Sequence, residues 1–393
     1  EKFMEQFSSW LSNLTVKASY GVQGNDNLGT YYAWQGLYDY TWANGSEAGA
    51  FASKLENKAI TWEKNGNLNA GIEASLFGGK VTFTAEYYNR HTRDMLLENP
   101  LAISTGFTGY DANVGSMRNQ GFEFSGRVNI IDMPNFRWDA NAMASLNRNK
   151  VTSLTSSQDF ISAGASVIEV GRPIYTFYLS KTAGVDPATG KRLYYAYWKR
   201  GVDETGAVSN VRCDEYVTDN VSLASLSKYY MGSREPAVSG SLGSSFVIFK
   251  NIDLSFLTTW SIGGKVYDGL YSGTMNVQYA GNNWHKNVLR RWQKPGDVTD
   301  VPMVEIGGSA PANNSALINA SYFAIKNITL GYTFPKNWLS KMEISALRLF
   351  LTADNIAMFN HLDGMDPQYN FTGSVSYSYT PSRAIVAGID IQF

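Results

Sequence analysis

Stretches in which every second residue is apolar recur about ten times along this chain, and the connections between them alternate strictly in length. Leu14, Val16, Ala18, Tyr20 and Val22 alternate with Thr15, Lys17, Ser19 and Gly21. Leu68, Ala70, Ile72, Ala74 and Leu76 repeat the pattern, followed by Val81, Phe83, Ala85 and Tyr87, then Phe122, Phe124, Val128 and Ile130, then Phe136, Trp138, Ala140, Ala142 and Ala144. Further rows run through Val238, Leu242, Phe246 and Ile248, through Ile252, Leu254, Phe256, Thr258 and Trp260, through Ile328, Leu330, Tyr332 and Phe334, and through Leu347, Leu349, Leu351 and Ala353. The final stretch, Ala384 to Phe393, sets Ile385, Ala387, Ile389, Ile391 and Phe393 against Gly388, Asp390 and Gln392. A period of two puts each row on one face of a β-strand, so the chain predicts strands with one greasy and one polar side.

The connections decide what such strands build. They are short at 77–80, 131–135, 249–251 and 335–341, and long everywhere between, with the largest excursions at 150–235 and 263–320. A sandwich with crossing connections has no reason to keep this parity, whereas a transmembrane barrel has short turns at one rim and long loops at the other. The spacing therefore predicts an all-β, antiparallel transmembrane β-barrel wall with long extracellular loops and short periplasmic turns. Phe77, Phe136, Trp138, Tyr332, Phe334, Trp338 and Phe393 then gather near the periplasmic rim, where an aromatic girdle belongs. Phe393, an aromatic at the end of the last strand, is the expected barrel-assembly signal. About ten strands alone would leave two edges unpaired in lipid, so the chain reads as the later part of a larger barrel of about 22 strands, beginning at Glu1 in mid-wall.

Composition agrees and removes other classes. Aromatics are 14% of residues, only 17% are charged, and mean hydropathy is -0.23, a mixture suited to a wall between lipid and water. No apolar run is long enough for a membrane-spanning helix. A net charge of -1 offers no basic field, so nucleic acid is not an expected partner. Cys213 stands alone, excluding a disulfide framework, and no metal or cofactor motif appears. His91, His285 and His361 are far apart, and neither H-E-x-x-H nor G-x-S-x-G occurs, so the chain is not expected to be an enzyme. Asn13-Leu14-Thr15 and Asn327-Ile328-Thr329 fall inside strands and read as chance triplets.

The loops carry the candidate binding residues. Trp34, Tyr38, Tyr40 and Trp42 lie in an aromatic-dense segment, and Trp284 lies in the excursion after residue 263. Such rings stack on ligands or pack on one another within a hairpin, and the sequence admits both.

The segments LTVKASYGVQG (14–24), ITWEKNGNLNAGIEASLF (60–77), VGSMRNQGFEFS (114–125), AGVDPATG (183–190), YFAIKNITLGYTFP (322–335), LRLFLTADN (347–355) and PSRAIVAGIDIQF (381–393) resemble the SusC-like, TonB-dependent transporters of Bacteroidetes outer membranes. The likeness runs over essentially the whole chain, in order. It implies an N-terminal plug, a TonB box and about twelve strands ahead of Glu1 in a barrel of this class. It also implies a SusD-like surface lipoprotein as a lid, a homodimer of such transporter–lipoprotein pairs, and energy delivered through TonB. The function so implied is active import of oligomeric nutrients, glycan oligosaccharides first and peptides second. In that reading the aromatic loop faces stack on substrate, while Glu86, Arg127, Asp139 and Arg348 supply lumen hydrogen bonds or pair with one another as a solvated wall. Read without the resemblance, the same wall serves a passive porin, and a soluble β-rich glycan-binding module is the remaining alternative.

Overall fold

The computed structural model describes residues 2–155, 159–202, 206–278, 281–308, 310–339, 343–362, 364–368, 372–375 and 379–393. Its framework is a 10-stranded sheet in which each strand pairs antiparallel with the next in sequence. The strands are β1 (Leu11–Asn25), β2 (Glu63–Leu76), β3 (Val81–Arg93), β4 (Gly115–Met133) and β5 (Phe136–Leu154). They continue as β6 (Val238–Ile248), β7 (Ile252–Ile262), β8 (Tyr322–Thr333), β9 (Ala346–Asn360) and β10 (Ala384–Gln392). This is the expected meander of a barrel wall. Among the described residues, β1 and β10 each have one hydrogen-bonded neighbour in it.

Register turns the separate apolar rows into a single band. Val16 lies opposite Ile72, Ile72 opposite Ala85, Ala85 opposite Phe124 and Phe124 opposite Ala144. Farther round, Leu254 faces Leu330, Leu330 faces Leu351 and Leu351 faces Ala387. Val16, Phe124, Leu330, Leu351 and Ile385 are all exposed, so among the described residues nothing covers these positions of the band. A continuous apolar surface of that extent suits hydrocarbon rather than water. No helix among the described residues is long and apolar enough to cross a membrane, so any crossing belongs to the strands.

The two rims differ as the parity requires. At one, Pro134 and Asn135 alone join β4 to β5, since Met133 pairs with Phe136. Expected as a turn over 131–135, this connection is tighter because Asp132 pairs with Arg137 and keeps β4 extended. Between β6 and β7, Phe249 and Lys250 both take positive φ, 49° and 64°, the handedness that lets a tight turn match strand twist. Aromatic rings cluster near this rim: Trp138 stacks on Phe246 at 5.7 Å, and Tyr332 meets Phe334 edge-on at 5.0 Å.

The other rim carries most of the buried core. The connection between β5 and β6 holds its own antiparallel sheet, with Thr176–Val185 between Ser166–Glu169, Arg192–Val202 and Lys228–Tyr230. Phe177, Leu179, Tyr194 and Ala196 are at most 2% exposed there, packed against a helix at Val221–Leu226 that contributes Leu223 and Ala224. A second cluster, Val266, Ala320, Leu362, Met365 and Val375, ties the last two long connections together. The sheet itself bonds to the next connection, where Ser180 N–H donates to Ala312 O at 3.1 Å.

Candidate functional site

The wall strands are longer than the apolar band. At about 3.3 Å per residue, the 19-residue strands β4 and β5 are about 60 Å long, more than twice a hydrocarbon thickness. Where the band ends, the ladder continues with amide side chains on its inner face. Asn65, Asn67 and Asn69 on β2 share that face by alternation, as do Asn147 and Asn149 on β5 and Asn119 on β4, with Asn119 directly opposite Asn149. Together with Glu86, Glu123, Tyr88 and Arg90 they line a cavity of about 1150 Å³.

The roof comes from the β5–β6 connection. Pro173 to Tyr175 and Arg234 to Pro236 lie over the amide rows, and Gln368 of the last long connection joins them. Asn149 is the fastener. Its Oδ1 accepts the Ile174 N–H at 2.6 Å, its Nδ2 donates to Asn119 Oδ1 at 2.8 Å, and its backbone N–H donates to Glu235 Oε1 at 2.8 Å. Asn147 Nδ2 donates to the same Glu235 oxygen at 2.6 Å while Asn147 Oδ1 accepts from the Tyr88 hydroxyl at 2.7 Å. That phenol crosses over Gly121, where a Cβ would collide with the Leu146 carbonyl and stand 2.7 Å from the phenol oxygen, so the position requires glycine.

The roof charges are perturbed by their surroundings. Burial pushes the Glu235 carboxyl above the usual glutamate range, partly offset by the Asn149 N–H, the Arg148 charge and the Asn147 amide. Burial lowers the Arg234 guanidinium, against the influence of Tyr322 and Asp366. Arg234 Nη2 donates to the Pro367 carbonyl, while its buried Nε has no hydrogen-bond partner among the described residues. Chemically the chamber presents donors and acceptors in dense, mostly neutral pairs, a surface matched to hydroxyls or peptide amides and not to a single strong charge. Among the described residues no group of three or more His, Cys, Asp or Glu is placed to hold a metal ion.

Of the residues singled out in the sequence, Glu86 lines this chamber. Arg127, Asp139 and Arg348 lie toward the short-turn rim and satisfy one another's neighbours. Asp139 is held by Arg127 at 3.2 Å and Arg137 at 2.8 Å, and Arg348 reaches Asp253 at 2.7 Å and Asp390 at 3.5 Å. Trp34, Tyr38, Tyr40 and Trp42 sit on the first long connection, whose strands Leu37–Asp39 and Phe51–Lys54 pair, and Trp42 meets Phe51 edge-on at 5.9 Å. Trp284 lies apart, on the third long connection; all five are exposed and none lines the chamber. Phe393 follows β10 at the short-turn rim, 90% exposed. Sequence reasoning missed the amides, although Asn at every second position in KNGNLN (64–69) and in Asn147-Arg148-Asn149 was a readable signal.

Comparison with known proteins matches residues 6–356 to the family described as TonB dependent receptor-like, β-barrel. TonB-dependent receptor P39 of Formosa agariphila is 26% identical over 100% of the chain, and TonB-dependent receptor SusC of Bacteroides thetaiotaomicron is 27% identical over 98% of it. Among solved structures, that of the RagAB peptide transporter superposes on 100% of the chain with a TM-score of 0.84 and 27% identity. The chain spans 41% of the P39 sequence, 38% of SusC and 42% of the RagAB chain.

Proposed function

This chain belongs to the TonB dependent receptor-like β-barrel family, and from that premise we propose that it is wall and outer vestibule of an active importer of oligomeric nutrients across a bacterial outer membrane. The observation that carries the reading is the amide-lined chamber of about 1150 Å³, built on the same strands as the apolar band and roofed by the long connections. Membrane and binding surface are thereby one continuous ladder. The substrate class it fits is a neutral, hydrogen-bond-dense oligomer: an oligosaccharide, as the reading from sequence favours, or a peptide, as the name of the RagAB relative suggests.

In this reading the short-turn rim and Phe393 face the periplasm and the long connections face outward. The open edges of β1 and β10 pair with strands outside this chain, because hydrocarbon tolerates no unpaired edge. A SusD-like lipoprotein covers the outer loops, and the exposed Trp34, Tyr38, Tyr40, Trp42 and Trp284 are available to such a lid or to substrate. TonB supplies energy through a plug. No residue is assigned a catalytic role.

The test is uptake after deletion of the full-length gene, using each oligosaccharide and peptide that the purified complex binds. Loss of uptake is expected for at least one of them, and an uncoupler that collapses the proton gradient should abolish the same uptake. Unchanged uptake of every bound ligand refutes transport. Uptake that survives the uncoupler assigns the wall to passive diffusion.

A further inference from the structure

A second cavity, of about 520 Å³, lies between the β5–β6 and β7–β8 connections and shares no lining residue with the chamber. Arg192 faces into it. Its backbone is fixed by a pinned turn: Asp186 N–H donates to Lys191 O at 2.9 Å, Gly190 N–H returns to Asp186 O at 2.8 Å, and Val185 pairs with Arg192. Trp292 of the neighbouring connection holds that turn, donating Nε1–H to Pro187 O at 2.9 Å. Its ring occupies the space a Cβ at Gly190 would need, where φ is +74°.

The guanidinium so positioned has nothing to bind. Among the described residues it makes no hydrogen bond or ion pair. The carboxylates nearby are already taken: Asp219 by Lys191 at 3.1 Å and Asp300 by Arg290 at 3.3 Å. Glu305, also on the cavity lining, is exposed and solvated. Burial lowers the pKa of Arg192, against the influence of Tyr194, Asp300 and Tyr271, so its charge is held partly out of water without a counter-ion. A planar donor fork that is unspent, on a backbone held by the turn, matches a carboxylate bidentately. The neutral amides of Asn276 and Gln278 extend the donor set.

We propose that this cavity is a carboxylate-binding subsite, with Arg192 clasping a single carboxylate of an oligomeric ligand. Two sources share that chemistry, a peptide C-terminus and a uronate residue of an acidic oligosaccharide. The inference concerns equilibrium binding by the loop module and does not depend on import, so a failed uptake experiment leaves it standing.

The probes are N-acetyl-trialanine against its C-terminal amide, and trigalacturonate against its methyl ester, titrated into the purified full-length protein in detergent. At least one acid should bind about tenfold or more tightly than its neutral partner, the scale of one charge-assisted hydrogen bond. Whichever acid shows the preference names the source. Arg192→Gln should erase the preference and Arg192→Lys should retain part of it. Should Arg192→Gln fail to fold, hydrogen exchange on the unaltered protein decides: the saturating acid should protect residues 190–194 and 271–278, and its neutral partner should not. Equal binding of acid and neutral forms overturns the proposal, as does protection confined to the chamber or a preference that survives Arg192→Gln.

Discussion

Asn149→Ala should release the chamber roof while leaving the wall intact. The substitution removes the bond from Ile174 N–H at 2.6 Å and, within the wall, those to Asn119 Oδ1 at 2.8 Å and Met117 Sδ at 3.6 Å, but spares the backbone bond from residue 149 to Glu235. A neutral hydrogen bond contributes about 1 kcal/mol net, and stranding the half-buried Ile174 N–H adds about 1 kcal/mol more. Of the bonds lost, only the Ile174 bond crosses to the roof, so the sum is about 2 kcal/mol, corresponding to an opening equilibrium about 30-fold more favourable. Hydrogen exchange of the protein in detergent reads this directly, because local opening governs amide protection. Exchange over residues 172–178 should accelerate by about that factor, while β4 and β5 below the chamber, which keep their ladder, stay unchanged. Asn149→Asp supplies the control, since a carboxylate still accepts from Ile174 but cannot donate to Asn119 and stands beside Glu235. It should fall between the two. Unaltered protection at 172–178 in the alanine variant would show that the roof is held by something other than Asn149.

Three further outcomes follow from the same contacts. Because burial raises the Glu235 carboxyl above its ordinary 4.5, the closed roof binds a proton that the opened chain releases. Roof protection, corrected for intrinsic exchange, should therefore decline as pH rises from about 4.5 through the raised value. Glu235→Gln should flatten that slope, and a slope persisting in the variant assigns it to another group. Asp139→Ala, which loses both ion pairs and the Asn129 amide bond, should destabilise the wall by about 2 kcal/mol, whereas either arginine alone should cost at most about 1 kcal/mol; chemical unfolding in detergent tests the ranking, and equal costs would refute it. Trp34→Ala and Trp284→Ala should each weaken oligomer binding by about fivefold, the scale of one aromatic contact, and equal affinities by titration would remove those rings from the binding surface.

What the sequence discloses of this fold ends where the lipid-facing pattern ends. The rows from Leu14 to Val22 and from Ile385 to Phe393 were legible because an apolar face and a polar face alternate there. Above Phe122 on β4 and Ala144 on β5 both faces become polar, yet the ladder persists from Gly121 opposite Asn147 to Gly115 opposite Leu154. Where both sides are wet no apolar period marks the strand, so the upper wall was hidden, and the amide chamber left only the trace of Asn at every second position. The sheet between β5 and β6 was hidden for the opposite reason. Phe177 and Leu179 lie among neighbours buried on both faces, and around Tyr194 and Ala196 the run 193–198 is apolar or aromatic throughout, so neither strand shows a polar face alternating with an apolar one. Glu86, chosen by parity, lines the chamber, whereas Arg127, Asp139 and Arg348, chosen by the same parity, lie below it because alternation gives a face and not a height.

The turn made of Pro134 and Asn135 alone sets a rule for how such a chain can change over generations. An extra residue there would slip β5 by one, swinging Ala140, Ala142 and Ala144 into the lumen and Asn147 and Asn149 out of the chamber. The same addition within the connections after β1, β5 or β7 shifts no register between staves, since each of those links already spans dozens of residues. Descendants of this architecture are thus free to diversify at one end only, and lengthening or shortening there can alter what is captured while the staves that hold the membrane keep their pairing.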